Sequence, residues 1–274
     1  MSKKNYLTLG AIVRNEAHYV REWLAHYRVV GFEKFVIVLH RCSDDTERQI
    51  RSLPFAADIT IEHCGTSAPQ VGCYNKLCND YKSKTEWMAF LDADEFLFCP
   101  NGRNVCEFLD EFKKYGALIV HNFEFGSSGH VVRPSDPAIS SFVHRAPNNY
   151  WMHDNFKSIV RLSEFERYVS PHLAHVKGGV VREDHRILSY GDIHYACGLK
   201  KGIPSISRFI RYNHYYVRSM EDFVARCYRG DASQSVVPDL NCKQFENRDH
   251  KAVLDFTIQR YEKSILTLLD GKLR

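Results

Sequence analysis

Apolar positions in the first 125 or so residues alternate between two spacings. Leu7 to Val13 is a short apolar run of strand length. Val20, Trp23, Leu24 and Tyr27 then recur at i, i+3, i+4 and i+7, one face of a helix, with Asn15 expected to cap it. Phe35 to Leu39 reads as a second strand and runs into the turn-rich segment His40 to Thr46. Ile59 to Ile61 is a short third strand. Tyr74, Leu77, Cys78 and Tyr81 form a second helical stripe, followed by a strand from Trp87 to Leu91. Val105, Phe108, Leu109 and Phe112 repeat the helical spacing, and Ala117 to Val120 is strand again. Such alternation predicts an α/β fold with a mainly parallel sheet covered by helices on both faces.

In sheets of this kind ligands bind outside the carboxyl ends of the strands. Three polar segments fall there: Arg14-Asn15-Glu16, His40 to Thr46, and Asp92 to Glu95. On an extended backbone Asp92 and Asp94 point the same way, because side chains alternate with a period of two. Two carboxylates so placed make a pincer for a hard divalent cation, which completes its shell with substrate phosphates and water. The segment therefore suggests a nucleoside-diphosphate substrate. An acidic pair on a solvated loop is the competing reading.

The chain has 274 residues, room for one large domain or two small ones, and a composition ordinary for a globular protein. No stretch approaches the ~20 apolar residues needed to cross a bilayer, and Met1 to Tyr6 leads into a strand without a signal-peptide core. Nine cysteines, an odd number in no metal-finger spacing, point to reduced thiols and a cytoplasmic setting. Cys73 and Cys78 read as core atoms. The formal charge of +4 fits anionic substrates or a peripheral contact at the inner membrane face, and equally a solvated basic surface. The sequence has no Gly-X-Gly-X-X-Gly, no P-loop and no Gly-X-Ser-X-Gly, which argues against a dehydrogenase, a P-loop enzyme and an ordinary serine hydrolase. Its aromatic residues lie among apolar ones and not along a basic stripe, so nucleic-acid binding has no support.

Ala11 to Glu16, Glu22-Trp23-Leu24, Ser43 to Thr46 and Trp87 to Phe96 resemble the nucleotide-sugar half of a GT-A glycosyltransferase. Phe125 to His130, Lys157 to Arg161, Pro171-His172, Asn213-His214-Tyr215 and Ser219 to Gly230 continue the match. Together they resemble glycosyltransferase family 92 and related family-2-like bacterial enzymes, from about Leu7 to Gly230. The resemblance implies a GT-A fold and transfer of a sugar from a nucleotide donor, often UDP-linked and commonly galactose. It also implies inversion and a bound manganese ion, with magnesium as the other candidate. One departure is His40-Arg41-Cys42-Ser43, where relatives carry an Asn-Gly-Ser-like or Asn-Cys-Ser-like stretch, with Asp44 and Asp45 following directly.

These readings assign roles. Asp94 and Asp92 would hold the metal, which as a Lewis acid neutralises the departing nucleotide. A histidine from the C-terminal half would complete the protein's ligands, His214 first and His172 second. Asp44 would contact uracil or ribose, or else bond its own backbone in a turn. Arg14, with its neighbours Asn15 and Glu16, would approach the donor, an ion pair of Arg14 with Glu16 or Glu22 being the other use. Lys157 and Arg161, spaced like a helix face or a strand edge, would steady phosphates or sit as solvated surface charges. Gly126, Ser127, Ser128 and His130 lie in a Gly- and Ser-rich segment suited to close approach of a sugar, or in a plain loop. The carboxylate that takes the acceptor proton is assigned to Asp154 first and Glu124 second. Trp151 would stack on a sugar ring or pack in the core.

The expected organisation is one GT-A domain with a donor half over 1–125, an acceptor-side and metal-completing half over 126–240, and a helical tail over 241–274. The expected activity is transfer of a hexose to a glycan or lipid-linked saccharide, in a surface-polysaccharide or lipopolysaccharide pathway. A non-catalytic carbohydrate-binding or scaffold protein of the same fold is the alternative from another class. A nucleotidyltransferase is the third reading, disfavoured by the lack of a Gly-rich entry loop.

Overall fold

The computed structural model describes residues 4–67, 69–194, 197–200, 202–229 and 242–271. Gly230, the far end of the family-like stretch, lies outside them. The expected alternation forms: β1 (Asn5–Val13), α1 (Val20–Val30), β2 (Lys34–His40), α2 (Thr46–Arg51), β3 (Ile59–Cys64), α3 (Gln70–Tyr81), β4 (Thr85–Phe90), β5 (Glu95–Phe98), α4 (Val105–Leu109) and β6 (Ala117–Glu124). The apolar stripe of α1 packs on one face of the sheet with Leu9, Ile37 and Trp87, while Tyr74, Leu77 and Cys78 of α3 pack on the other with Val36 and Met88. Each large side chain taken out of water here contributes about 2 kcal/mol.

Parallel pairing joins β1 to β2, β2 to β3, and β1 to β4. The chain thus moves outward from β1 and returns to its other side, which makes β1 and β4 the switch point of the sheet. The strand Phe156–Arg161 then inserts between β4 and β6, antiparallel to both. The short strand Arg211–His214 pairs antiparallel with β5 and parallel with β6, setting His214 beside Glu95 and Glu124. Beyond β6 the sheet ends in the short strands Val180–Val181 and Ile187–Leu188.

Gly10 of β1 is needed at the switch point. A Cβ there would run into the ring of Phe90 on β4. Phe90 in turn stacks on Tyr74 of α3, with centroids 4.0 Å apart.

One expectation fails, and the helical tail forms with an interruption. Asn15 does not cap α1, which starts at Val20 after Tyr19. It adopts φ 52° and instead bridges two loops, its amide nitrogen donating to the Ser43 hydroxyl at 3.1 Å and its amide oxygen accepting from the Ser43 N–H at 2.8 Å. The stretch Phe245 to Leu269 is not one helix. A helix Cys242–Arg248 is followed by a strand Val253–Leu254 paired with His144–Arg145, then a helix Glu262–Leu269. Asp255 breaks the run because its carboxylate is drawn inward to the guanidiniums of Arg145 and Arg211, at 2.8 and 2.9 Å. Among the described residues no helix is long and apolar enough to cross a membrane.

Candidate active site

Core packing fixes the acidic turn. Trp23 and Tyr27, on the buried face of α1, both donate to the carbonyl of Glu95, at 2.9 and 2.8 Å. β4 ends at Phe90, and Asp92 to Glu95 form a turn in which Glu95 N–H donates to the Asp92 carbonyl at 2.9 Å. Asp92 and Asp94 therefore do not share one side of an extended strand, and the two carboxylates diverge. The Asp92 carboxylate accepts from Lys157 Nζ at 2.8 Å and from the Gln70 amide at 3.3 Å. Asp94 instead accepts from Arg226 at 2.5 Å, and its other oxygen stands 3.8 Å from His214 Nε2.

Lys157 is buried, not a surface charge, and lies 3.2 Å from Glu95 as well. Burial works against its charge, but Asp92 and Glu95 outweigh it and keep the ammonium protonated. Burial pushes the Glu95 carboxyl up to about 7. Burial opposes ionisation of Asp94 too, yet Arg226 and His214 outweigh it and hold its carboxyl well below the usual range. His214 donates from Nδ1 to Glu124 at 2.7 Å. Burial disfavours its cation, but Glu124 and Asp94 prevail and its pKa rises to about 9.

The loop after β1 joins the same network. Glu16 is buried between Arg218 at 2.7 Å and Arg229 at 2.5 Å, and Arg218 also donates to the Ala93 carbonyl at 2.7 Å. Both switch-point loops are thereby tied to the segment after Arg211–His214. Glu16 acts as a brace, so it is not the ion partner of Arg14. Glu22 is not that partner either, since it accepts from the N–H groups of Ala138 and Ile139. The Asp44 carboxylate is committed to the loop, accepting from Ala17 N–H, Thr46 N–H and the Thr46 hydroxyl.

Two cavities meet beside Asp94. One of about 300 Å³ lies at the switch point and takes in Arg14, Gln70, Asp92, His172, His214 and Glu124. A larger one of about 790 Å³ takes in Asn15, Tyr19, Asp44, Arg133, Arg218 and Asp222. They share Glu16, Asp94, Tyr216, Arg226 and Arg229 as a common wall. His172 donates from Nδ1 to the Phe156 carbonyl at 2.9 Å, and burial, with Lys157 next, pushes its pKa down to about 3. Its imidazole is neutral.

Other expected residues stand away from the cavities. The space beside Gly126 is filled by the backbone of His250, not left open for a sugar. Ser127 N–H donates to Asp249 at 2.7 Å, and the Ser128 hydroxyl accepts from the N–H groups of Val143 and His144. The ring of His130 contacts the Ser141 carbonyl at 3.2 Å. Arg161 pairs with Glu86 on β4 at 2.8 Å. Asp154 ends the turn Trp151–Asp154 and lines neither cavity, although Met152 and Asn155 beside it line the smaller one. Trp151 is 70% exposed and not core-packed.

The sequence reading missed Glu95, Gln70, Arg218, Arg226 and Arg248 as parts of this site. Glu95 carried a signal in its place in the acidic run, and Arg226 in lying within the family-like stretch Ser219 to Gly230.

The sequence profile of Glycosyltransferase family 92 matches residues 10–268. The chain belongs to glycosyltransferase family 92. A family 92 protein of Oryza sativa subsp. japonica is 23% identical over 165 residues, covering 58% of this chain and 27% of that one. One from Ricinus communis is 26% identical over 133 residues, covering 46% and 24%. The chain thus spans about a quarter of the length of these relatives. Among solved structures, S. aureus TarS 1-349 in complex with UDP aligns at 15% identity and a TM-score of 0.38, over 58% of this chain and 47% of that one. Family 92 likeness runs to residue 268, beyond Gly230, where the motif resemblance ends.

Proposed function

We propose that the protein is a metal-dependent glycosyltransferase. It moves a hexose, galactose in the favoured reading, from a UDP-linked donor to a hydroxyl of a glycan or lipid-linked saccharide, with inversion. The observation that carries this reading is the meeting of Asp94, His214, Glu124 and Arg226 where two cavities join at the switch point of a family 92 fold.

The side chains present fit a divalent cation in part. Among the described residues no three His, Cys, Asp or Glu side chains form a ready metal site. Asp94 and His214 do approach to 3.8 Å, and the Glu124 bond to Nδ1 leaves Nε2 as the ring atom facing Asp94. A carboxylate behind a histidine in this way fixes the ring for a metal. Asp94 and His214 would hold the ion, with donor phosphates and water as its other ligands. The ion supplies Lewis acidity to the departing diphosphate. His172, neutral and lining the same cavity, is the second imidazole within the site.

The protein's own groups do the rest. Asp92, steadied by Lys157 and Gln70, is placed to accept a donor hydroxyl, and Arg14 lines the same crevice. Of the two carboxylates assigned to the acceptor proton, Glu124 lines the cavity and Asp154 sits beside its rim.

The test is a thermal-shift titration with UDP, UDP-galactose, UDP-glucose and GDP-mannose, each with manganese and with chelator. A ligand of the folded state at a hundred times its dissociation constant adds about 2.7 kcal/mol of stability. The expected result is a shift with one nucleotide that manganese enlarges, the manganese-dependent part being lost in Asp94→Ala. No shift with any of them overturns the donor reading and favours a non-catalytic binding protein.

A further inference from the structure

The wall between the cavities contains two arginines three residues apart on the helix Met220–Arg229, and hence on one face of it. Their surroundings differ. Arg229 is fixed to the loop after β1: besides Glu16, its guanidinium donates to the carbonyls of Arg14 and Asn15, at 2.8 and 3.0 Å. Among the described residues Arg226 has a single backbone anchor, the Tyr216 carbonyl at 2.8 Å, and it lies over the Tyr216 ring at 4.3 Å. Its other arm ends on Asp94.

A guanidinium fork matches carboxylate and phosphate oxygens alike. In the free protein Asp94 fills the place that an anionic ligand would take at the junction of the cavities. A nucleoside diphosphate in the switch-point crevice brings its charge to that junction, beside the Asp94 carboxylate. Like charges held together in a partly buried site are costly unless a cation moves to the incoming group. Arg226 can pivot on its Tyr216 anchor, whereas three contacts hold Arg229 in the brace.

We propose that Arg226 reads the diphosphate of the donor, leaving Asp94 for the phosphate oxygens as the donor enters, so that Asp94 and the substrate compete for one guanidinium. The inference rests on the nucleotide-donor reading above and adds the residue that recognises the second phosphate. Tyr216 serves as the platform on which that guanidinium slides. Arg248 lies over the same ring at 3.9 Å and lines the same crevice.

Calorimetric titration with uridine monophosphate and uridine diphosphate, in the presence of chelator, separates this role from a structural ion pair. The variants are Arg226→Gln, Asp94→Asn and the double variant. Arg226→Gln should lose about tenfold in diphosphate affinity, the worth of one charge-assisted contact, and leave monophosphate affinity within twofold. Asp94→Asn frees the guanidinium and should bind the diphosphate more tightly than the wild type, a gain that disappears in the double variant. If Arg226→Gln does not fold, Arg226→Lys, which keeps the charge but not the fork, should show a smaller loss of the same kind.

The proposal is overturned if the preference for diphosphate over monophosphate is unchanged without Arg226. It is equally overturned if the gain of Asp94→Asn persists in the double variant, since removal of a negative charge then explains it. A wild type that binds neither nucleotide, even with manganese, overturns the donor reading itself. That outcome is distinct from one in which nucleotides bind and Arg226 is indifferent.

Discussion

His214 stands between two carboxylates: its Nδ1 donates to Glu124 at 2.7 Å while its Nε2 lies 3.8 Å from Asp94. In the free protein the imidazole is a cation, so it supplies the positive charge that the pair of carboxylates requires. A divalent ion and the Nε2 proton then compete for one lone pair.

Glu124→Gln tests this arrangement. Loss of the orienting charge should weaken manganese affinity by about ten- to a hundredfold while the protein stays folded. In the wild type, affinity should rise with pH toward about 9, where His214 gives up its proton. Manganese titration followed by electron paramagnetic resonance reads both effects. An affinity that Glu124→Gln leaves unchanged would separate Glu124 from the cation.

Lys157→Met should destabilise the fold strongly. It removes the ammonium that lies against both Asp92 and Glu95, at 2.8 and 3.2 Å, and leaves their charge uncompensated. Breaking one partner of a buried pair costs about 3–5 kcal/mol. Urea denaturation should show that loss, and Glu95→Leu in the same chain should restore part of it. If Lys157→Met alone is neutral, the lysine is not what holds the acidic turn.

Stability should peak near pH 6.5 in the presence of chelator. Burial depresses the imidazoles of His26, His121 and His153 to about 4 and that of His172 to about 3. Their folded pKa values lie below the unfolded ones, so below pH 6.5 the unfolded chain takes up more protons and stability falls as pH falls. Each depressed histidine contributes up to about 1.4 kcal/mol per pH unit in that window. Glu22 and Glu95, both raised to about 7 by burial, work in the opposite direction between about 4.5 and 7, but they are two groups against four. On the alkaline side the contribution of His214 is fully present below its unfolded pKa and is lost as pH rises through about 9. Melting temperatures measured from pH 4.5 to 9.5 should trace this maximum; a plateau down to pH 5 would contradict it.

Local pattern made the first half of the fold legible. Val20, Trp23, Leu24 and Tyr27 mark α1 because the stripe they form is the one the sheet buries, and that information lies within eight residues. The three loops at the carboxyl ends were legible for the same reason. What those loops contact was not. Arg226 and Asp94 are 132 residues apart, and Arg218 and Glu16 are 202 apart, with no periodicity linking them. The strand-like alignment expected of Asp92 and Asp94 is absent because the turn at Asp92 to Glu95 breaks the alternation and sends the two carboxylates to different partners. Lys157 was ambiguous because a single charged residue in an apolar strand looks the same whether it faces solvent or two acids. Gly126 belonged to a segment whose close approach was foreseen, although its neighbour is the backbone of His250 and not a sugar.

The strand Phe156–Arg161 lies between β4 and β6, although both of those strands precede it in the chain. During synthesis, β4 and β6 must therefore wait side by side with unsatisfied backbone groups until more than thirty further residues have emerged. A fragment cut after residue 125 would carry two open sheet edges where the native protein has its centre, and such edges pair readily with other chains. The carboxylates of Glu16, Asp92 and Asp94 emerge early in translation, but the lysine and arginines that neutralise them arrive only with the second half. Assembly of this fold is thus a late, long-range event, governed by closure of the whole chain and slow for that reason.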